Sequence, residues 1–168
     1  LGVDDVVLLS DRAFAGADTW ATSYALSQGI RKIGNFDLVI AGKQAIDGDT
    51  AQVGPETADM LGIPFVAYVR KIEQVESGTM VAERLMDEGY DVVETSLPAL
   101  ITVVKEINEP RVPSLKGKMK AKSLKVAAWT AADIDSDETK IGLRGSPTQV
   151  VRIFPPTPRG QREILSGS

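Results

Sequence analysis

The run Asp37-Leu38-Val39-Ile40-Ala41 constrains this chain more than any other stretch. It is short, apolar and carries two branched residues, the pattern of a strand buried on both faces. Gly42 ends it, and residues 43–48 read as a loop. Asp49 or Thr50 then caps a helix running towards Leu61, with Gln52 three residues after Asp49 to close a capping box. A strand that feeds a loop and a helix start is where α/β proteins bind phosphate groups. Backbone N–H groups and the helix dipole both point into such a loop.

The flanking sequence repeats the alternation. Residues 3–10 read as a first strand, and Asp18 caps a helix from Thr19 to Ile33 that Gly34-Asn35 stops. Residues 3–61 are therefore strand, helix, strand, loop, helix, which implies parallel strands joined by right-handed crossovers. After the Gly62-Ile63-Pro64 turn the character changes. Residues 65–75, 79–86 and 90–95, with turns at Ser77-Gly78 and Glu88-Gly89, form an antiparallel meander. Residues 97–104 are another buried strand, with Pro98 near its start. Residues 106–125 are a long excursion with two prolines and a glycine, and residues 126–129 return to the core. Residues 131–147 read as a polar surface connection and residues 148–154 as a last strand. The expected fold is α/β: a mostly parallel sheet with helices on both faces and an antiparallel meander. Residues 1–154 are read as one domain, and residues 155–168 as an extended tail that leaves it towards a partner subunit's arm.

Composition narrows the chemistry. The chain of 168 residues has no Cys and no His. It can form no disulfide, no thiolate or imidazole metal site and no Ser-His-Asp triad from its own residues. No run approaches the roughly 20 apolar residues of a membrane span. The first residues fit neither region of a signal peptide. Residue 1 is Leu rather than Met, and the chain is read as starting inside a longer subunit.

The loop after Ala41 offers modest but coherent chemistry. Gly42 and Gly48 let backbone approach a ligand. Gln44, Thr50 and Gln52 supply neutral hydrogen-bonding groups, and Lys43 offsets phosphate charge. Asp47 and Asp49 repel phosphate unless they face ribose hydroxyls, base nitrogens or the helix start. The loop matches neither the dinucleotide nor the nucleotide-triphosphate glycine motif. Read as a calcium loop from Asp47, it places Gln52 and Ala58 where Gly and Glu are needed, so no metal is expected. On spacing alone a capped turn without a ligand stands beside the phosphate reading. Asp11 and Arg12 lie at the C-terminal end of the first strand, where open α/β sheets bind ligands, and are read as a surface ion pair or, second, as contacts to the cofactor or the large subunit.

Two longer segments carry a resemblance. GKQAIDGDTAQVGP, at residues 42–55, closely resembles the nucleotide-binding loop of the small (β) subunit of electron transfer flavoproteins, and NEPRVPSLKGKMKAK, at residues 108–122, resembles that family's signature segment. Their order and spacing also fit, and the resemblance runs from residue 3 to residue 154. It implies a Rossmann-like fold of the adenine nucleotide alpha hydrolase type. It also implies an adenine nucleotide held by Gly42, Lys43, Gln44, Ala45, Ile46, Asp47, Gly48, Asp49, Thr50, Ala51, Gln52 and Val53. In ordinary members that nucleotide is AMP. In electron-bifurcating members it is a second FAD, and Gly48 together with SDRAFAGADT at residues 10–19 looks more like that branch. The redox FAD belongs to the large (α) subunit. Family members normally begin with a further strand and helices and end in a C-terminal arm, so the resemblance implies a chain that lacks both.

The segment from Pro110 to Lys125 is the other candidate site. It holds Arg111, Lys116, Lys118, Lys120, Lys122 and Lys125 and no acid, in a chain of net charge −4. Such segregation is a local positive patch. No aromatic residue interleaves the lysines, so the stacking platforms of nucleic-acid binding are missing. Leu115 and Met119 stand among the charges as an apolar anchor with a charged rim, which suits protein docking. By resemblance this is the family's recognition loop. It implies Pro113, Ser114, Leu115, Met119, Lys120 and Lys122 as contacts to flavin-containing dehydrogenases of the acyl-CoA type. The function implied is electron carriage by a heterodimer in the bacterial cytoplasm, or second the mitochondrial matrix, with no catalytic residues in this chain and no nucleic-acid or membrane partner. The alternative is a stand-alone nucleotide-binding regulatory module of the universal-stress type, whose late glycine motif Gly142, Gly145 and Ser146 do not match in spacing.

Overall fold

The computed structural model describes residues 2–155 and residue 160. In chain order, strand β1 is Val7–Leu9, helix α1 Thr19–Ile33, β2 Leu38–Gly42, α2 Val53–Leu61 and β3 Phe65–Glu76. Then come β4 Thr79–Met86, β5 Gly89–Ser96, β6 Ala99–Val103, α3 Leu115–Ser123 and β7 Ala127–Trp129. Short 3₁₀ turns at Arg12–Phe14, Lys105–Ile107, Ala132–Ile134 and Gly142–Gly145 fill the connections.

The strands form a five-stranded sheet in the order β2-β6-β3-β4-β5 and a two-stranded sheet, β1-β7. β6 runs parallel to both β2 and β3. The β3-β4 and β4-β5 pairs are antiparallel. The α/β, Rossmann-like expectation therefore holds, with the meander grafted onto the parallel part. β6 lies between two neighbours, which explains its apolar run: Ala99, Leu100, Ile101 and Thr102 are all buried. The core gathers Val66, Val69, Met80, Ala82 and Ile101, with Leu38, Ile72 and Val93 packed against them. Ala82 and Val93 face each other across β4 and β5, so one face of the meander belongs to the core.

Helix α1 begins where its cap predicts. The Asp18 carboxylate accepts from the Ala21 N–H at 3.1 Å. Gly34, at φ 65°, ends the helix in a conformation that costs glycine little. Gly29 lets α1 close on β1, since a Cβ there would meet Leu9 Cδ1 at 3.2 Å.

Four expectations fail. β2 is not buried on both faces: among the described residues it pairs only with β6, and Ile40 is 60% exposed. The excursion at residues 106–125 contains α3, whose first turn is capped by Ser114 Oγ accepting from the Gly117 N–H at 3.1 Å. Residues 131–147 are more than a surface connection, because Ile134, Ile141 and Ser146 are buried. Residues 148–154 form no strand. With no ladder to join, Val150, Val151, Ile153 and Phe154 lie exposed. The expected tail at residues 155–168 falls outside the described residues except for Pro155 and Gly160.

Candidate functional site

The C-terminal end of β2 and the N-terminal end of α2 meet over an open cavity of about 340 Å³. That is at the small end of the range for ligand sites. Gly42, Lys43, Gln44 and Ala45 form one wall, and Thr50, Ala51, Gln52, Val53 and Gly54 the other. The loop is tied to the sheet by the Lys43 N–H donating to Val103 O at 3.0 Å. Of the residues that sequence reasoning singles out, Ile46, Asp47, Gly48 and Asp49 are not part of these walls. They make the turn between them. The Gly48 N–H donates to Asp47 Oδ1 at 2.8 Å, the Asp49 N–H to Ala45 O at 3.0 Å, and Gln44 Nε2 to Asp49 Oδ1. Both acids thus serve the loop's own backbone and side chains.

The helix starts later than its capping pattern suggests. Asp49 and Ala51 adopt φ values of 52° and 55°, the left-handed region, so no capping box forms between Asp49 and Gln52. α2 opens at Val53 behind Gln52, which makes no side-chain capping bond. The leading N–H groups of α2 are therefore not satisfied by a cap, and Gln52, Val53 and Gly54 line the cavity. Unpaired helix N-terminal donors beside an open space suit an anion.

Contacts outside the loop hold this end of α2 in place. Glu56 accepts from Thr19 Oγ1 at 3.2 Å and from Ser23 Oγ at 3.1 Å, which fastens α2 to α1. Gly54 sits so close to β6 that a Cβ there would lie 2.4 Å from Thr102 Cγ2. The buried Thr102 hydroxyl in turn accepts from the Tyr68 N–H at 3.1 Å. Tyr68 has φ 58°, a left-handed backbone that costs a non-glycine residue on the order of 1 kcal/mol or more. It falls where the β3-β6 register shifts between Val66 and Val69. The Tyr68 ring receives the Lys43 ammonium, 5.1 Å from its centroid. Sequence reasoning misses Thr19, Ser23, Gly54, Glu56, Tyr68 and Thr102. Only Gly54, a glycine at a helix start, carries a readable signal.

Among the described residues Asp11 forms no ion pair. Its carboxylate accepts from the Ala13 N–H at 3.0 Å and from the Ala131 N–H at 3.0 Å. The Ala13 N–H first, then that of Ala131, hold its pKa below the ordinary aspartate value. It is a structural clasp between β1 and the segment after β7.

The basic segment is built differently. No residue of α3 is buried. Leu115 is 76% exposed and Met119 65% exposed. Four residues apart on a helix, they share one face. Lys120 and Lys122 are exposed beside them. Pro113, Ser114 and Lys120, with Arg111, line a separate cavity of about 610 Å³ between α3 and residues 2–4. The sequence-predicted docking residues therefore fall together on one exposed element, which is a helix rather than a loop.

A family model described as the electron transfer flavoprotein domain matches residues 1–134. The chain belongs to that family. It is 48% identical over 169 residues to the electron transfer flavoprotein subunit beta of Thermoanaerobacterium thermosaccharolyticum, covering 100% of this chain and 64% of that protein. It is 48% identical over 168 residues to the caffeyl-CoA reductase-Etf complex subunit CarD of Acetobacterium woodii, with coverage of 100% and 64%. Protein FixA of Bradyrhizobium diazoefficiens is 45% identical over 171 residues, with coverage of 98% and 59%. The chain thus spans somewhat under two thirds of the length of these relatives. The resemblance read from residues 42–55 and 108–122 holds at the level of the family. Among the described residues, no helix is long and apolar enough to cross a membrane.

Proposed function

We propose that this chain is the nucleotide-binding part of the small subunit of a heterodimeric electron transfer flavoprotein. It holds an adenine nucleotide, AMP or FAD, against the start of α2. The observation that carries this reading is the uncapped α2 N-terminus on the wall of the 340 Å³ cavity, in a loop free of any competing acid on its walls. The donor set fits a phosphate. The leading N–H groups of α2 supply fixed donors, Lys43 supplies charge, and Gln44, Thr50 and Gln52 supply neutral groups. Gly42 and Gly48 have open space where a Cβ would stand, so backbone is accessible at both ends of the loop.

With AMP the site has no redox part. With FAD, the bound group supplies a hydride acceptor, and the complex belongs to the bifurcating branch. In both cases the redox FAD of the large subunit does the carrying, and this chain's residues bind, orient and cover. The relative CarD, named as part of a caffeyl-CoA reductase-Etf complex, supports assembly with a large subunit and a CoA-type reductase partner. Leu115 and Met119 on α3, rimmed by Lys120 and Lys122, are the proposed docking contacts for that flavin-containing partner. Residues 1–154 form the proposed domain. The proposed compartment is the bacterial cytoplasm.

A visible absorption spectrum of the intact complex, with flavin counted per heterodimer, tests the reading. Two flavins place FAD in this cavity. One flavin with one AMP released on denaturation makes the protein an ordinary carrier. An intact complex holding one flavin and no AMP overturns the nucleotide assignment.

A further inference from the structure

We propose that Tyr68, which is not part of the cavity wall, is a positioning residue for its ligand: it parks the Lys43 ammonium so that the charge is in place before a phosphate arrives. The inference rests on the nucleotide reading above. It adds a residue on a different strand and gives it a separate task.

Lys43 is exposed and lines the cavity. A free lysine on a four-carbon stem gives up rotamer freedom when a ligand recruits it, and that loss subtracts from affinity. Here the freedom is already restricted. The backbone at Lys43 is fixed by its N–H donating to Val103 O at 3.0 Å, and the side chain is held by its ammonium resting 5.1 Å from the centre of the Tyr68 ring. An aromatic face attracts a cation without neutralising it, because the ring carries no net charge. A carboxylate in the same place would hold the lysine equally well but would cancel the field that the ligand needs.

The ring is held there by backbone, not by packing alone. Tyr68 occupies a left-handed conformation at φ 58°, uncommon for an aromatic residue. It does so inside a register shift of the β3-β6 ladder, the kind of irregularity that re-aims a side chain. Its N–H, taken out of the ladder, is satisfied by Thr102 Oγ1 at 3.1 Å. Thr102 is the residue against which Gly54 of the cavity wall packs. The strained backbone, the hydroxyl that satisfies it and the glycine at the helix start are thus one connected group, and its output is the placement of a lysine.

The test is calorimetric binding of AMP and of adenosine to the intact protein stripped of nucleotide. Tyr68→Leu should weaken AMP binding about two- to fivefold, a part of the rotamer freedom that an unheld lysine gives up on recruitment, and leave adenosine binding unchanged. Tyr68→Phe keeps the ring and should bind AMP like the wild type. Tyr68→Gly relieves the left-handed backbone while removing the ring, and should lose the same two- to fivefold. Lys43→Met should weaken AMP binding at least as much, and adding Tyr68→Leu to it should cost nothing more, since the two side chains act as one unit. Unchanged AMP affinity in Tyr68→Leu, or an equal loss for AMP and adenosine, overturns the inference while leaving the nucleotide site standing. A wild type that binds no AMP overturns this inference, and one that on a further titration binds no FAD either overturns the nucleotide reading with it.

Discussion

The two candidate sites differ in how they are held. The cavity at α2 is fastened to the core at several points: Lys43 to Val103, Gly54 against Thr102, Glu56 to Thr19 and Ser23. α3 buries none of its residues, and its own cap, Ser114, is its clearest local support. The difference suits the two proposed tasks. Donors that must meet a phosphate work only if they are already in place. An anchor that must enter another protein works only if it stands clear of its own. Rigid backing at α2 and exposure at α3 would be opposite solutions for the two ligands proposed.

Three substitutions can break or sharpen that contrast. The largest effect is expected from Gly54→Val, which drives branched carbons into the buried Thr102 side chain. It should cost about 2–3 kcal/mol of stability, seen as a lower denaturant midpoint, and strip nucleotide from the intact protein. A variant that is fully stable and still loaded would show that α2 is not seated as described. Next is Leu115→Ala. Electron exchange with the partner should fall on the order of tenfold or more, while melting temperature and nucleotide content stay at wild-type values. Equal turnover would remove Leu115 from the interface. The smallest effect belongs to Ser114→Ala, which deletes the α3 cap at a local cost of about 1 kcal/mol. Hydrogen exchange in residues 115–123 should accelerate while β6 is unaffected. If exchange speeds up throughout the fold, α3 is part of the cooperative core after all.

Much of this architecture is readable without coordinates, for identifiable reasons. Asp18 and Gly34 bracket α1 because capping is a local property of one carboxylate and one glycine. Ser77-Gly78 sits between β3 and β4 as the alternation around it requires. The failures are equally physical. Asp49 and Ala51 are ordinary helix-start residues by type, and only the surrounding chain puts them in the left-handed region. Residues 148–154 have strand composition, but strand composition does not supply a neighbouring edge. The prolines at 110 and 113 conceal α3, although Ser114 is a good cap and lysine a good helix former. The segment that carries the family resemblance, residues 42–55, also supplies most of the cavity's lining. It could not reveal Tyr68 or Thr102, because their role depends on a register shift between strands far apart in sequence.

Asp18 has a mechanical consequence. Besides capping α1, its carboxylate accepts from the Thr148 N–H at 2.9 Å and Thr148 Oγ1 at 2.8 Å, and its own N–H donates to Ser146 Oγ at 2.8 Å. Burial works against its charge. The N–H groups of Ala21 and Thr148 and the Thr148 hydroxyl outweigh that and hold its pKa below the ordinary 3.8. Its contribution is therefore complete above about pH 4 and fades as the solution is acidified below that. Any pull on the chain beyond residue 148 is met first by this one side chain. That side chain ties Thr148 to the start of α1 rather than to a strand, so a load there reaches a helix start before it reaches the sheet.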